Sequence, residues 1–401
     1  MKKLFLAILF ITTSVSAATF NVTTNADAGP GSLRDAIAQA NAQCGGSVVC
    51  AITLDPAVQH KILELASPLP AVTACGITIG DPAFDSALGK RALEISGAKL
   101  DSGNGLEVRS RCGISNDVTI TGLSITGFPD NGIAVLPPEG GVTHGESAPL
   151  VHLRGNNIGI DAGGFIDRRN GWRGVVIADD PAQVVVEQSV ISANGRSGIF
   201  VWVADFVTVR NNRIGIDVNG FPRPNGASGI YLGRAAGEIT QNTIAFSRDF
   251  GVAVSPTARR ASVTQNSLYE NGWLGIDWAL DGLINHVLPA DAIVPLPPTV
   301  TDVNGQTIRG VAHVRAKDAG GTYRILFYST EAWRQHAEGE HSVGAMTIDV
   351  PNDGSAHDIA FEFRSTVPLF DTVITAQASV AFDNIDNTSE LSEGVRYFCC
   401  R

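Results

Sequence analysis

The sequence predicts an all-β chain whose central part is a solenoid of short strands. One phrase returns there: it reads Asn-Asn-Ile-Gly-Ile-Asp at 156–161 and Asn-Arg-Ile-Gly-Ile-Asp at 212–217. Shorter or weaker copies begin at Gln188, Asn242 and Asn266. The lead residues are therefore separated by 32, 24, 30 and 24 residues, and each copy is followed by a glycine and an aliphatic residue. A period of this size, built from short strands and turn residues, indicates a coil whose turns stack on one another.

The first residues predict a signal peptide. Lys2 and Lys3 precede an apolar run over residues 4–11, and Val15-Ser16-Ala17 is a small-residue cleavage site. The apolar run is shorter than the roughly 20 residues that a membrane-spanning helix needs, and no later stretch approaches that length. We therefore expect residues 1–17 to be removed from an exported protein that has no transmembrane segment.

The net charge argues against two classes of partner. It is −11 for the whole chain and becomes −13 when Lys2 and Lys3 are subtracted. Nucleic acids and anionic lipids are bound through basic surfaces, so we expect neither as a general partner. No set of cysteines and histidines has the spacing of a metal site, and no cofactor is expected to be required.

The six cysteines fit an oxidising compartment. Two disulfides are expected, Cys44 with Cys50 and Cys75 with Cys112. For the adjacent Cys399 and Cys400, a vicinal bridge, a pairing elsewhere and free thiols all stay open, because spacing alone does not determine connectivity.

A short amphipathic helix is predicted after a first strand over residues 19–22. Ser32 followed by Asp35 has the pattern of a capping box at a helix start. Four apolar residues then fall on one helical face: Leu33, Ala36, Ile37 and Ala40. Because the end of a solenoid exposes strand edges that would otherwise pair with other chains, this helix is expected to cap the first turn of the coil.

Two motifs carry a resemblance to known proteins. Gly31-Ser32-Leu33-Arg34-Asp35-Ala36 resembles the N-terminal motif ending in Cys-Ser-Leu-Arg-Glu-Ala of exported bacterial β-helix proteins, with glycine in place of the cysteine. The Asn-led array resembles the pectate lyase-like superfamily, in which turn asparagines stack and satisfy backbone groups. Together they cover roughly residues 19–285. The resemblance implies a right-handed parallel β-helix in a bacterial protein that is secreted, periplasmic or at the cell surface, and it implies no particular activity.

A change of pattern marks the end of the coil. Residues 288–298 are proline-rich, and the strands predicted beyond them have an antiparallel pattern: 307–314, 322–328, 345–350, 359–363 and 372–382. We therefore expect a signal peptide (1–17), a β-helix with its capping helix (18–287), a linker (288–298) and a small antiparallel β-sandwich (299–401). Its closing segment, 388–392, resembles the last strand of domains that often follow such β-helices.

The two longest repeats carry the candidate groove. Asp161-x-x-Gly-Phe matches Asp217-x-x-Gly-Phe 56 residues later, and each begins a long loop. Two turns of the coil place these loops roughly 10 Å apart. The remaining charged residues of the candidate groove are Asp167, Arg168, Arg169 and Arg223.

Two interpretations of these loops compete. Asp161 and Asp217 alternate with inward-facing isoleucines, so both carboxylates are expected to point outward, where they could bind Ca²⁺. The arginines could then hold uronate carboxylates or act as the base in β-elimination. In the competing interpretation, which we favour, aspartate and glycine form the turns and arginine solvates them.

Other candidate residues lie outside the two loops. Trp202 falls between inward-facing Val201 and Val203, so it is expected to be exposed as either a sugar-stacking platform or ordinary surface. Asp179-Asp180 is followed by Pro181, which favours a turn, and the other motifs of the superfamily's hydrolases are absent. A segment with Glu338 and Glu340 between His336 and His341 is expected to be a solvated loop rather than a cation site.

Three classes of function remain at this point. The favoured one is a non-catalytic exported protein that binds extended glycans or mediates cell-surface interaction, because no complete catalytic set can be assembled. The first alternative is a polysaccharide lyase or related enzyme acting on acidic polysaccharide. The second is a structural spacer at the cell surface.

Overall fold

A computed structural model describes residues 16–46, 48–81, 93–110, 117–140, 150–179, 182–284, 294–331, 338–369, 371–382 and 385–397. The predicted signal peptide lies outside these residues except for Ser16 and Ala17, which begin the first strand. Asp180, Pro181, His336, Cys399 and Cys400 also lie outside them. Among the described residues, no helix is long and apolar enough to cross a membrane.

The first part of the chain contains one α-helix and a long series of short strands. Helix α1 is Leu33–Gln43. The strands are β1 Ser16–Val22, β2 Val48–Leu54, β3 Ile62–Glu64, β4 Ile77–Gly80, β5 Leu93–Ser96, β6 Leu106–Val108, β7 Val118–Thr121, β8 Leu123–Thr126, β9 Ile133–Val135, β10 Leu150–Arg154, β11 Asn157–Ile158, β12 Val175–Ala178, β13 Gln183–Glu187, β14 Val190–Ile191, β15 Ile199–Arg210, β16 Arg213–Ile214, β17 Ile230–Thr240, β18 Thr243–Ala245, β19 Val252–Val254, β20 Arg260–Thr264, β21 Ser267–Tyr269 and β22 Ile276–Trp278.

Every pairing among these strands is parallel, and the pairs build three faces of a coil. Sheet A runs from β1 through β10 and β13 to β20, and sheet B runs from β3 through β11 to β21. Sheet C runs from β6 through β12 to β22 and joins sheet A through β15 and β17, which are long enough to belong to both. The fold is therefore the right-handed parallel β-helix that the resemblance implied. The right-handed sense is the one that crossover connections between parallel strands nearly always have.

Aliphatic residues in register fill the inside of the coil. In sheet B, successive turns place one residue directly above the next: Ile125, Ile158, Ile191, Ile214, Ile244 and Leu268. These side chains are at most 2% exposed. Equivalent positions on every turn therefore stack into one continuous core, which is why a repeat too short to fold alone is stable in the array.

The repeated asparagines form the predicted ladder. Asn212 donates through its side-chain amide to Asn242 Oδ1 at 2.9 Å, and Asn242 donates to Asn266 at the same distance. The predicted alignment of the weak copy was wrong by one residue. Ser189, not Gln188, takes the position of the lead asparagine, since Ser189 Oγ accepts from Asn156 N. A second ladder, not predicted, joins Asn170, Asn194 and Asn225 at 3.0 Å per step.

The predicted helix covers the first turns of the coil. Ser32 Oγ accepts from Asp35 N at 3.2 Å, and Asp35 Oδ2 accepts from Gly31 N at 3.2 Å, so the capping box is formed. The four apolar residues predicted for one face are all buried. The helix contacts β1 and β2, and the adjacent disulfide between Cys44 and Cys50 is present as predicted. Cys75 is also disulfide-bonded, but Cys112 lies outside the described residues, so their pairing stays a prediction.

Antiparallel pairing replaces parallel pairing after the coil. The strands are β23 Thr299–Asn304, β24 Thr307–Val314, β25 Thr322–Glu331, β26 His341–Asp349, β27 His357–Arg364, β28 Thr372–Phe382, β29 Ile385–Thr388 and β30 Val395–Tyr397, with a short 3-10 turn at Ala316–Asp318. One sheet has the order β23-β24-β27 and the other β26-β25-β28-β29, with β30 beside β28.

The two antiparallel sheets share a core of their own. Phe327 of β25 stacks on Phe363 of β27 with ring centroids 4.5 Å apart, and it meets Phe361 edge-on at 5.5 Å. Side chains from both sheets therefore interdigitate, as in a β-sandwich. The predicted fold class, a β-helix with a capping helix followed by a small antiparallel β-sandwich, is confirmed.

Candidate functional site

The two matched loops, residues 159–174 and 215–229, are built in the same way. In the first loop, Asp161 Oδ1 accepts from Phe165 N at 2.7 Å and from Ile166 N at 2.8 Å. In the second, Asp217 Oδ1 accepts from Asn219 N at 2.8 Å and from Phe221 N at 2.9 Å. Each carboxylate thus satisfies backbone donors of its own turn, which is the turn chemistry of the favoured interpretation.

The two matched carboxylates differ in exposure. Asp161 is half-buried, whereas Asp217 is 1% exposed. The chain turns at both residues, since Gly164 N donates to Asp161 O and Gly220 N donates to Asp217 O. Both carboxylates bond to the loops that follow them, so their outward orientation stays a prediction, while the burial of Asp217 was not predicted.

Arg223 joins the two loops. Its guanidinium lies 3.1 Å from Asp167 Oδ1 in the first loop and 3.5 Å from Asp217 Oδ2 in its own loop. It also donates to Phe165 O at 2.9 Å. The charges of Asp167, Asp217 and Arg223 are therefore satisfied by one another.

Arg168 turns away from the other candidate residues toward the outer surface of sheet B. Its Nη1 lies 3.0 Å from Glu94 Oε1, and Glu94 also accepts from Thr126 Oγ1 at 3.0 Å. Glu94 is only 3% exposed, so the first loop covers a buried carboxylate and supplies its counter-charge. Arg169 is exposed, and no described residue forms an ion pair with it.

The calcium site proposed for these loops stays a prediction. Asp161 and Asp217 already accept backbone hydrogen bonds, with which a bound cation would compete. Among the described residues, no group of three or more histidine, cysteine, aspartate or glutamate side chains converges.

A different surface brings aromatic rings together on sheet C. Phe200 of β15 and Tyr231 of β17 are register neighbours on adjacent strands, and their rings stack at 4.6 Å with planes 13° apart. Trp202, two residues along the same strand, lies 6.3 Å from Phe200 with planes 7° apart. The predicted exposure of Trp202 is confirmed at 61%.

Two arginines border these rings. Arg173 Cζ lies 3.9 Å from the Phe200 ring centroid and 5.2 Å from that of Trp172, and Arg196 Cζ lies 5.8 Å from the same Trp172 ring. Burial lowers the pKa of the Arg173 guanidinium, and the nearby charge of Arg196 lowers it further. We call Trp172, Arg173, Arg196, Phe200, Trp202 and Tyr231 the aromatic face.

No described acidic side chain forms an ion pair with Arg173 or Arg196. Two like charges share one tryptophan ring, and each keeps donors available to a ligand. The aromatic face therefore differs from the long loops, in which the described contacts satisfy most of the charged groups.

A glycine opposite Trp202 permits the close approach of the two strands there. A Cβ at Gly233 would lie 2.5 Å from Trp202 O and 2.6 Å from Val201 O. The register between β15 and β17 shifts immediately after this point. The bulge and the glycine together set the position of the Trp202 ring.

Sequence reasoning found Trp202 but not its neighbours. Aligning the repeated glycine-isoleucine pairs, Gly198-Ile199 and Gly229-Ile230, would have placed Phe200 beside Tyr231. No sequence pattern pointed to Arg173, whose position over Phe200 depends on how the first long loop returns to the sheet.

Three polar side chains of the C-terminal sandwich are linked by hydrogen bonds. Thr299 Oγ1 lies 2.9 Å from His313 Nε2, and His313 Nδ1 lies 2.8 Å from Asp358 Oδ1. The Asp358 side chain is 76% exposed, so the His313–Asp358 pair is solvent-screened and contributes at most about 1 kcal/mol even when the imidazole is charged. We assign these contacts to cross-strand pairing of β23, β24 and β27.

Comparison with known proteins gives a family match for the central turns. The profile of the NosD family, described as a periplasmic copper-binding protein, matches residues 115–273. No curated protein matches the chain.

Several solved structures are similar to the chain. Tailspike protein 2 of the Escherichia coli O157:H7 bacteriophage CAB120 is 10% identical with a TM-score of 0.28, over 94% of this chain and 64% of that one. Pantoea stewartii WceF, described as a glycan biofilm modifying enzyme with a tailspike-like parallel β-helix, is 10% identical with a TM-score of 0.23, over 91% and 61%. Tailspike gp49 of the Acinetobacter baumannii bacteriophage Fri1, a capsular polysaccharide depolymerase, is 11% identical with a TM-score of 0.18, over 87% and 75%.

The chain spans less than two thirds of the length of tailspike protein 2 and of WceF, at 64% and 61%. With TM-scores this low, these likenesses carry no argument about sites or activity. The assignment of the fold rests on the strand pairing itself.

Proposed function

We propose that the protein is exported and binds an extended glycan on the aromatic face without cleaving it. The observation that carries this proposal is the stack of nearly parallel rings formed by Phe200, Trp202 and Tyr231 on neighbouring parallel strands, with Trp202 mostly in solvent. The C–H faces of sugar rings stack on exposed aromatic rings, and the strand spacing of about 4.8 Å repeats such positions along the coil.

The arginines extend the chemistry of this surface. Arg173 and Arg196 present planar donor groups at the edge of the rings, where they can bind sugar hydroxyls or carboxylates. Export is supported by the charged and apolar N-terminal pattern, by the Cys44–Cys50 disulfide and by the family described as periplasmic. The proposed glycan binding does not require calcium and is compatible with it.

Binding to a panel of neutral and uronate-containing polysaccharides tests the proposal. We expect the native protein to be retained by at least one member, and the double variant Trp172→Ala/Trp202→Ala to lose about tenfold or more in affinity, equal to about 1.4 kcal/mol. Trp273→Ala is the matched control, since Trp273 is 52% exposed and lies outside the aromatic face.

The same panel separates the alternatives. An unsaturated product that absorbs in the ultraviolet, formed from uronate polymers with Ca²⁺ present, would replace the binding proposal with the lyase. Retention that is equally weak for the native protein and the double variant would favour the structural spacer.

A further inference from the structure

The last turn of the β-helix ends against the C-terminal sandwich. Strands β20, β21 and β22 are the final strands of sheets A, B and C, and no described parallel strand follows them. Such an edge presents backbone N–H and C=O groups that another strand could pair with. The partners of these N–H groups therefore show how the coil is terminated.

At the edge of sheet A the partners are side chains of the sandwich. Asn387 Oδ1 accepts from Ala261 N at 3.3 Å, and Thr388 Oγ1 accepts from Val263 N at 3.0 Å. Both side chains are fully buried. They occupy the acceptor positions that backbone carbonyls of one more turn would occupy.

At the edge of sheet B the sandwich supplies a backbone carbonyl and a phenol. Gly339 O accepts from Leu268 N at 2.9 Å, and Tyr328 Oη accepts from Gln265 N at 3.3 Å. Burial raises the pKa of Tyr328 to about 12, so its hydroxyl stays neutral and keeps its proton for Gln377.

Two buried carboxylates complete the cover. Glu338 accepts from Glu270 N at 2.7 Å and from Asn271 N at 2.8 Å, so the expectation of a solvated loop at this residue is wrong. Glu390 Oε1 accepts from Trp278 N, at the end of sheet C, at 2.7 Å. Both glutamates are 2% exposed.

Apolar side chains reinforce these bonds. Leu326, Tyr328 and Leu391 of the sandwich belong to the same buried cluster as the inside of the coil. The sandwich therefore continues the core of the β-helix while it satisfies N–H groups at the edges of all three sheets.

We propose that the C-terminal sandwich is the terminator of the β-helix, and that the last turn, once uncovered, is an interaction surface for a second copy of this chain. The second copy offers the matching chemistry, because its own last turn carries the same N–H and C=O groups. Two copies related by a two-fold axis perpendicular to the coil would bring their last turns together edge to edge, with strands running in opposite directions.

The other end of the coil limits this assembly to a dimer. Head-to-tail stacking into fibres would require an open first turn, but α1 packs there with Leu33 and Ile37 buried. A two-fold contact uses the same surface on both copies and closes on itself. The structure thus predicts a closed dimer from an uncapped chain.

The test uses the full-length chain with the contacts of the cover removed. The triple variant Glu338→Ala/Glu390→Ala/Leu391→Ala deletes both carboxylates and one apolar contact. The matched control is Glu362→Ala/Glu393→Ala/Val367→Ala, which changes the same residue classes at exposed positions of the sandwich. Molar mass is measured by light scattering on eluting protein, and amide hydrogen exchange is measured residue by residue.

The expected result is a concentration-dependent dimer for the triple variant and a native molar mass for its control. At low concentration, before dimers form, the amides of Glu270, Asn271 and Trp278 should exchange about tenfold or more faster than in the control. If the substitutions unfold the sandwich altogether, the last turn is uncovered all the same and the dimer is still expected. A variant that stays monomeric, or one that grows into fibres, overturns the proposal.

Discussion

The long loops and the aromatic face of this β-helix differ in what their polar groups contact. In the loops, Asp161 and Asp217 accept backbone hydrogen bonds, Arg223 bridges two carboxylates, and Arg168 neutralises Glu94. On the aromatic face, Arg173 and Arg196 lie beside aromatic rings with no ion-pair partner in the described part of the chain.

This difference shows that a repeated motif does not by itself mark a binding surface. The matched sequences of the loops repeat because the same turn must be built twice. The aromatic face carries no such motif, yet its side chains keep both apolar area and donors available. We therefore expect substitutions in the loops to lower stability and substitutions on the aromatic face to lower glycan affinity.

The largest loss of stability is expected for Arg168→Gln. The substitution leaves the carboxylate of Glu94 buried without its counter-charge, which should lower the free energy of unfolding by about 2–4 kcal/mol. Urea denaturation measures this change. Because Glu94→Gln removes the charge that Arg168 neutralises, the double variant Glu94→Gln/Arg168→Gln should recover part of the loss, and a double variant weaker by the sum of both single changes would contradict the pairing.

A smaller loss is expected for Asp217→Ala. Two backbone N–H groups of the second loop lose their acceptor, which should lower the free energy of unfolding by about 1–2 kcal/mol, as for the removal of a helix N-cap. Asp167→Ala is the control, because its side chain is 56% exposed and its ion pair with Arg223 should contribute less than about 1 kcal/mol. Equal losses for the two variants in urea denaturation would show that Asp217 has no special part in the turn.

Local patterns explain why much of the fold could be predicted from the sequence. The period of the array, the turn asparagines and the capping box at Ser32 and Asp35 depend on neighbouring residues, and the structure contains all three. The burial of Asp217 was not predicted, because it depends on how the second loop and Arg223 pack against this side chain.

Contacts between distant residues explain what could not be predicted. Phe200 meets Tyr231 through the register of β15 and β17, and Glu338 meets Asn271 through the docking of the sandwich. Neither partner is encoded near the other in the chain. The candidate site was therefore predicted only at Trp202, the one residue whose exposure followed from its own strand.

Comparing the variants Arg173→Ala and Arg169→Ala is the most direct test of which region binds a ligand. Arg169 is the exposed arginine of the first long loop, and Arg173 is half-buried over Phe200 on the aromatic face. With the polysaccharide retained most strongly in the panel, Arg173→Ala should weaken binding about fivefold, near the 1 kcal/mol of one hydrogen bond to a sugar group. Arg169→Ala should leave the affinity within about twofold, since an exposed arginine with no stacking partner is highly mobile. Equilibrium titration of both variants under one salt condition makes the losses comparable. The reverse order of losses would place the ligand on the long loops, and the internal ion pairs there would then have to open for it to bind.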